Sequence, residues 1–375
     1  MNIAIFGAGC TGRGHLNALL YEGNYRNITF IDKNDELVKL LKEKKKYTLH
    51  LLGKNERTFE IDGFETLHRN EEDAIIQTCI NSDIVLTAVI AENLDNVSEV
   101  IAKAITVRRR KGNEKVMNII ACENLDNAST FLKNSTFARL SDADKAYSDK
   151  YIGFPDAMIS RVVPLTKSDP LFMIAEDYNE WVVRKSDYMG PDPEIPFMNL
   201  ISNLEARLER KIWIHNGGHA TVAYMGWLRG YQYIHEAVAD AEIATFAGKV
   251  MDEIGDVIIH KHGFPKNEIE EYKNDLGPRG ANAEMKDEIV RVVRDPVRKL
   301  GVKDRLMAPA LYAEKHGLPN RYIIQSLKNI LKYYNPDDPE AVRMHRIIGG
   351  YNLNYFLEET IGLKNETGLV KKIAG

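Results

Sequence analysis

Over its first half the chain alternates short apolar runs with amphipathic stretches. Asn2–Phe6, Ile28–Ile31, Ile84–Ile90 and Asn118–Ala121 are compact runs of mainly apolar, often β-branched residues. Between them, Glu36–Lys45 and Leu94–Arg108 repeat apolar residues at the three-and-four spacing of a helix face. Strands that alternate with helices imply a mostly parallel sheet covered on both faces. Tyr47–Leu51 and Thr58–Ile61, joined through Gly53-Lys54-Asn55, read as a small hairpin inserted into that scheme. Leu171–Ala175 and Glu180–Val183 are expected to extend the sheet. The proline-rich stretch Gly190–Pro196 forbids a continuous helix and marks a linker. From Phe197 onward the helical period takes over, as in Ala237–Ile254, Glu284–Val293, Arg321–Tyr333 and Pro339–Ile348. The pattern therefore predicts an α/β domain over residues 1–190, a doubly wound and mostly parallel sheet. An all-helical second domain follows over residues 191–375.

Length agrees, because 375 residues exceed what one core usually serves. A formal net charge of -4 argues against a nucleic-acid or anionic-membrane partner. The basic runs Lys44–Lys46 and Arg108–Arg110 are short and read as solvated helix faces. Cys10, Cys79 and Cys122 show no paired spacing, which fits a reducing compartment rather than a disulfide frame or zinc site. Neither a leader-like opening nor an apolar run near the ~20 residues of a membrane span is visible. A soluble cytoplasmic protein, monomer or small homo-oligomer, is expected.

Gly7-Ala8-Gly9-Cys10-Thr11-Gly12 follows the first apolar run and opens a helical pattern, Arg13–Tyr21. Three glycines can form no more than a tight turn. In this context they form the Rossmann dinucleotide fingerprint. Gly7 permits the turn, Gly9 lets the backbone approach a pyrophosphate, and Gly12 allows close helix–strand packing. The helix start offers unpaired N–H groups to the diphosphate. Asp32 closes the second run twenty residues after Gly12. There it is either a strand-end turn residue or the carboxylate that accepts from the adenosine ribose. In the second role it would repel a 2′-phosphate and favour NAD over NADP.

A nicotinamide enzyme must also move the hydroxyl proton. No tyrosine here has a lysine four residues later, and three cysteines cannot supply the ligands of a zinc alcohol dehydrogenase. The remaining candidate is Lys211-Ile-Trp-Ile-His-Asn216-Gly-Gly-His219. On a regular helix, with Lys211 at zero, His219 falls at about 80° and Asn216 at about 140°, one side of the cylinder. Gly217, Gly218 and Ala220 thin the helix beside them, for a substrate or for close packing. Spacing alone leaves two readings level: a catalytic set, or a surface lysine with a packed histidine.

The Lys211-x4-Asn216-x2-His219 pattern resembles the catalytic signature of the polyol-specific long-chain dehydrogenase/reductase family. Further similarity runs through GAGCTGRG (7–14), NIIACEN (118–124), FPDAMISRVVP (154–164), RKIWIHNGGHA (210–220), RDPVRKL (294–300) and DDPEA (337–341). The resemblance implies a metal-independent enzyme using NAD, with Lys211 as general acid/base at a pKa brought toward neutrality. It implies that Asn124 and Asn216 donate to the developing alkoxide and that His219 holds a neighbouring substrate hydroxyl. Glu123 either relays the departing proton or caps something local. The family commonly has an aspartate before Arg161, where this chain has Ser160. Arg161 then fixes a strand or reaches the substrate, and Asp156 stands nearby. The length and the glutamate of Ala121-Cys122-Glu123-Asn124 most resemble the sugar-phosphate branch, which implies mannitol 1-phosphate and fructose 6-phosphate as the substrate pair, and RDPVRKL resembles the same branch. Arg294, Arg298 and Lys299, with Arg305 beyond, would meet the phosphate; otherwise they are a basic helix end. The rival readings are a dehydrogenase of a free polyol or hexuronate (tagaturonate or fructuronate reductase type) and a non-catalytic NAD sensor.

Overall fold

The computed structural model describes residues 1–164 and 169–375. It divides into two compact units, Met1–Leu204 and Glu205–Gly375.

Twelve strands belong to the first unit: β1 Ile3–Phe6, β2 Ile28–Asp32, β3 Tyr47–Leu52, β4 Arg57–Ile61, β5 Phe64–His68, β6 Ile84–Thr87, β7 Met117–Ala121, β8 Ile152–Gly153, β9 Ala157–Ser160, β10 Phe172–Glu176, β11 Glu180–Arg184 and β12 Met198–Ile201. Six form a sheet in the order β5-β2-β1-β6-β7-β8, and every pairing in it is parallel. Alternation along β1 feeds both faces: Ile3 and Ile5 enter one core, Ala4 and Phe6 the other. The winding direction reverses between β1 and β6, which opens a crevice at their carboxyl ends.

The expected hairpin is present, with β3 and β4 antiparallel and in register from Tyr47↔Ile61 to Leu51↔Arg57. The later runs do not extend the main sheet. Instead β10 pairs parallel with β3, and β11 pairs with β9 and β12 in a third small sheet. The edge at β8 is already taken. The Asn118 side chain exchanges two 2.9 Å bonds with the backbone of Met189, and a Cβ on Gly153 would lie 2.2 Å from Asn118 Oδ1. The proline stretch is non-helical and irregular, with Gly190 and Glu194 at φ of 87° and 54°, and it lies along the first unit, where Ile195 is buried and Tyr25 donates to the Pro193 carbonyl at 3.2 Å. Strand β12 then closes against β11, so residues 191–204, expected with the helical domain, pack with the first unit.

The second unit is helical. Its centre is Ala241–His262, packed against Gly217–Arg229 and Arg321–Leu331. The expected helix from Ala237 is broken at Asp240, whose carboxylate caps the longer helix by accepting from Glu242 N and Ile243 N. Helix 321–331 is capped across space: buried Glu253 accepts from Tyr322 N and Ile323 N at 2.8 and 2.9 Å. The run Glu284–Val293 is not one helix. Lys286 takes a left-handed φ of 44°, and the helix resumes only at Ile289. Residues 287–289 lie extended against 232–234, with Ile234 N donating to Asp287 O at 2.9 Å. Among the described residues no helix is long and apolar enough to cross a membrane.

Candidate active site

At the crevice, β1 ends in Gly7 with φ of 97°, and a Cβ there would meet the Ala88 carbonyl oxygen at 2.2 Å. A Cβ on Gly12 would meet the Gly7 oxygen at 1.9 Å, whereas one on Gly9 would meet nothing within 4 Å. Two glycines are thus demanded by the fold. The third faces open space, the place a pyrophosphate needs. Buried Arg13 fastens the loop, donating to Ala8 O and Pro170 O at 2.6 Å each. Asp32 Oδ2 accepts from Ala8 N at 2.6 Å and Oδ1 from Asn34 N at 2.9 Å. Each carboxylate oxygen keeps a lone pair for a further donor. A cavity of about 520 Å³ opens here, lined by Gly7, Gly9, Asp32 and Lys33 and by apolar Ile31, Ile75, Val97 and Val100. A cradle with one open glycine, a carboxylate and an apolar slot fits a dinucleotide.

Glu123 resolves toward its local reading. Its Oε1 accepts from Val89 N at 2.8 Å and Thr87 Oγ1 at 3.1 Å, and Oε2 from Ile90 N at 3.0 Å. Burial pushes this carboxyl above its ordinary value, against the pull of those bonds. It clamps a turn in which Ile90 is held at φ of 72°, a strained conformation for a β-branched residue, with its side chain exposed at the cavity. The run read as Ile84–Ile90 is therefore strand only to Thr87. Asn124 follows Glu123 in an exposed loop beyond β7.

Arg161 donates to three backbone carbonyls, those of Gly14, Asp177 and Tyr178. Burial lowers it to about 10, opposed by the charges of Glu22 and Glu176. These bonds tie β9 to the first helix and favour a fixing role over a substrate contact. Ser160 is buried on β9. Asp156 does not replace the missing carboxylate, because it pairs with Arg184 at 3.0 Å and accepts from Thr130.

In the second unit, Arg210–Asn216 winds as a π-helix and only then tightens into α at Gly217. The first helix of the other unit does the same over Gly12–Asn17. The regular 100° step therefore does not describe Lys211. Its partners converge through His215. Burial lowers that imidazole well below its ordinary value, as do the charges of Arg279, His219, Lys211 and Arg305. The rings of His215 and His219 lie 6.3 Å apart. The charges of Lys211, His219, Arg279 and Arg305 thus act together to keep His215 neutral. Gly217 and Gly218 serve packing: Cβ atoms there would meet the Arg305 carbonyl at 3.1 Å and Met251 Sδ at 2.7 Å. Asn216 is half-buried beside them.

Sequence reasoning missed two neighbours of this cluster. Arg279 ends the helix Lys266–Gly280, one residue after an internal proline. Asp287 lies 2.9 Å from His219 Nε2 and accepts two bonds from Arg291. No local signal marks either, since both arrive by tertiary packing.

Arg294, Arg298 and Lys299 do not form a cradle. Arg298 pairs with Asp295 at 2.6 Å and approaches Asp304 at 3.4 Å. Lys299 is 3% exposed, donates to the Arg294 carbonyl, and is lowered by burial to about 8. Asp338 accepts from Asp295 N at 2.9 Å and from Tyr333 Oη at 3.2 Å, so DDPEA is the brace of RDPVRKL. The charge of Arg305 acts on His215, while its Nε pairs with Asp304 at 2.6 Å. Among the described residues no group of three His, Cys, Asp or Glu is placed to hold a metal ion.

Comparison with known proteins agrees with both units. The mannitol dehydrogenase Rossmann domain model matches residues 1–197, and the mannitol dehydrogenase C-terminal domain model matches residues 203–373. The mannitol-1-phosphate 5-dehydrogenase of Thermoanaerobacter pseudethanolicus is 34% identical over 371 residues, covering 98% of this chain and 95% of that protein. Pseudomonas fluorescens mannitol 2-dehydrogenase, solved with NAD and D-mannitol, shares the fold at a TM-score of 0.77 and 20% identity, over 100% of this chain and 90% of that one. A D-sorbitol dehydrogenase, solved substrate-free, does so at 0.85 and 17% identity, over 100% and 92%.

Proposed function

The chain belongs to the mannitol dehydrogenase family, as an NAD-dependent polyol dehydrogenase, and from that premise we propose that it interconverts mannitol 1-phosphate and fructose 6-phosphate. NAD, when bound, supplies or takes the hydride. Gly7, Gly9 and Gly12 would hold its diphosphate and Asp32 its ribose, while the Asp32 charge disfavours a 2′-phosphate. Lys211 takes the proton of the reacting hydroxyl in oxidation and returns it in reduction. Asn216 donates to the oxygen on which negative charge develops. His219 holds the hydroxyl on the neighbouring carbon. Arg279 and Arg305 are the cations assigned to the phosphate, because their charges, like that of Lys211, act on His215; Arg305 Nε also pairs with Asp304 at 2.6 Å. The observation that carries the reading is the 34% identity, across both units, to a mannitol-1-phosphate 5-dehydrogenase.

The test is NADH oxidation with fructose 6-phosphate, fructose and tagaturonate in parallel, on the parent and on Arg279→Ala. The parent should prefer the phosphorylated sugar. Loss of a charge-assisted contact of about 1.5–3 kcal/mol should lower the variant's kcat/KM for it at least tenfold, mostly through KM. Turnover of fructose should hardly change. A parent that prefers fructose or tagaturonate sinks the phosphate assignment and leaves a free polyol or hexuronate as substrate.

A further inference from the structure

His219 has one ring nitrogen already engaged. Its Nε2 lies 2.9 Å from Asp287 Oδ2, with the two side chains 25% and 15% exposed. The other oxygen, Oδ1, takes Arg291 Nη2 at 2.6 Å and Nε at 3.0 Å. The backbone at this point is fixed as well. Lys286 turns left-handed before it, Asp287 O accepts from Ile234 N, and Ile289 N donates to Gln232 O at 2.9 Å. The carboxylate is thus held by a guanidinium on one side and a short extended pairing on the other. Both bonds and charges keep it ionised: His219 and Arg291 pull Asp287 below its ordinary value in spite of burial.

An ionised carboxylate can only accept, so the hydrogen on His219 must reside on Nε2. From this geometry we infer that Asp287 is a positioning residue: it fixes His219 in the Nε2–H tautomer and presents Nδ1 as a hydrogen-bond acceptor to the substrate. The role of Nδ1 rests on the proposed function, whereas the tautomer does not. A lone pair at Nδ1 asks for a donor. It is satisfied by a hydroxyl on the carbon beside the reacting one and repelled by a carboxylate or carbonyl oxygen there. Substrate choice at that carbon is then set by Asp287, seven residues before the RDPVRKL run begins at Arg294. Arg291 acts one step further out, on the carboxylate rather than on the ring.

The experiment uses the full chain with ¹⁵N-labelled histidine. The His219 ring signals are assigned by their loss in His219→Gln and followed at a pH where imidazoles are neutral. The parent should show the Nε2–H tautomer at His219. Asp287→Ala should shift it to a mixture, with Asp287→Asn as the isosteric variant should the first fail to fold. Arg291→Ala, which leaves the pair intact, should keep the parent pattern. With the preferred sugar, Asp287→Asn should lose at least about tenfold in kcat while NADH affinity stays unchanged, the signature of a substrate hydroxyl no longer held in place. An Nδ1–H tautomer in the parent, or one unaltered by Asp287→Ala, overturns the inference. So does a changed tautomer with undiminished turnover. A parent inactive on every sugar would instead sink the proposed function, and the ring signals would still decide whether Asp287 holds His219.

Discussion

The charge of Lys211 is one of four that, with burial, keep His215 neutral. Removing it should cost the reaction its proton acceptor and little else. Lys211→Ala is expected to lower kcat by ~10²–10⁴-fold while leaving NADH affinity nearly intact, because the glycine loop belongs to the other unit. Stopped-flow binding beside steady-state turnover checks both halves. Near-normal turnover would make Lys211 a surface lysine. At this scale spacing and resemblance single out Lys211, Asn216, His219, the three glycines and Asp32 as candidates from the sequence alone. It was mute on Arg279 and Asp287, whose relevance comes from segments 60 and more residues away in the chain folding onto the Lys211 helix. For the arginines of RDPVRKL it was misleading. Charge density alone does not reveal that Asp295, Asp304 and a backbone carbonyl already occupy Arg298 and Lys299.

Elements that repeat a simple period were legible, and those that break it were not. Strand β1, the helix Leu94–Arg110 and the β3–β4 hairpin follow from alternation and turn chemistry. The non-helical stretch at 286–288 sits inside a helical-looking run, and its pairing partner is distant. The strand–turn–helix that opens the chain separates structural from binding glycines. Gly7→Ala sets a methyl 2.2 Å from the Ala88 oxygen at a φ of 97° and should destabilise the fold by about 1–3 kcal/mol. Gly9→Ala meets nothing within 4 Å and should melt like the parent, yet bind NADH far more weakly. Thermal melts and NADH titration of the two variants separate these effects. Unchanged NADH binding by a stable Gly9→Ala would mean that the loop does not carry the diphosphate.

For the molecule as a whole, two texture classes in the sequence translated into two units, and the proline stretch was correctly read as non-helical. Its allegiance was not legible, since nothing local says that Met198–Ile201 will complete a three-stranded sheet. The consequence is measurable. A fragment of residues 1–204 should fold and bind NADH. One of residues 1–190 lacks Ile195 and Met198, 3% and 5% exposed, and uncovers the β11 edge beside fully buried Trp181. Each such side chain contributes about 1.5–3 kcal/mol by burial, so the shorter fragment should melt well below the longer one. Equal melting temperatures would place the boundary back at the prolines.

The two π-wound segments, Gly12–Asn17 and Arg210–Asn216, carry slack beside the glycine loop and at Lys211. Such a turn can shed a residue and remain a helix, rewinding as α. The extra residue is held within the turn, so its loss leaves the helices on either side in register and shifts only the side chains inside the turn. Losing one residue between Lys211 and Asn216 would change the spacing of the lysine from Asn216 and His219 while leaving the packed glycines and the helix beyond them in place. Specificity in this scaffold can therefore drift by length as well as by substitution, so relatives differing by one residue in this turn need not share a chemistry even when every named side chain is the same.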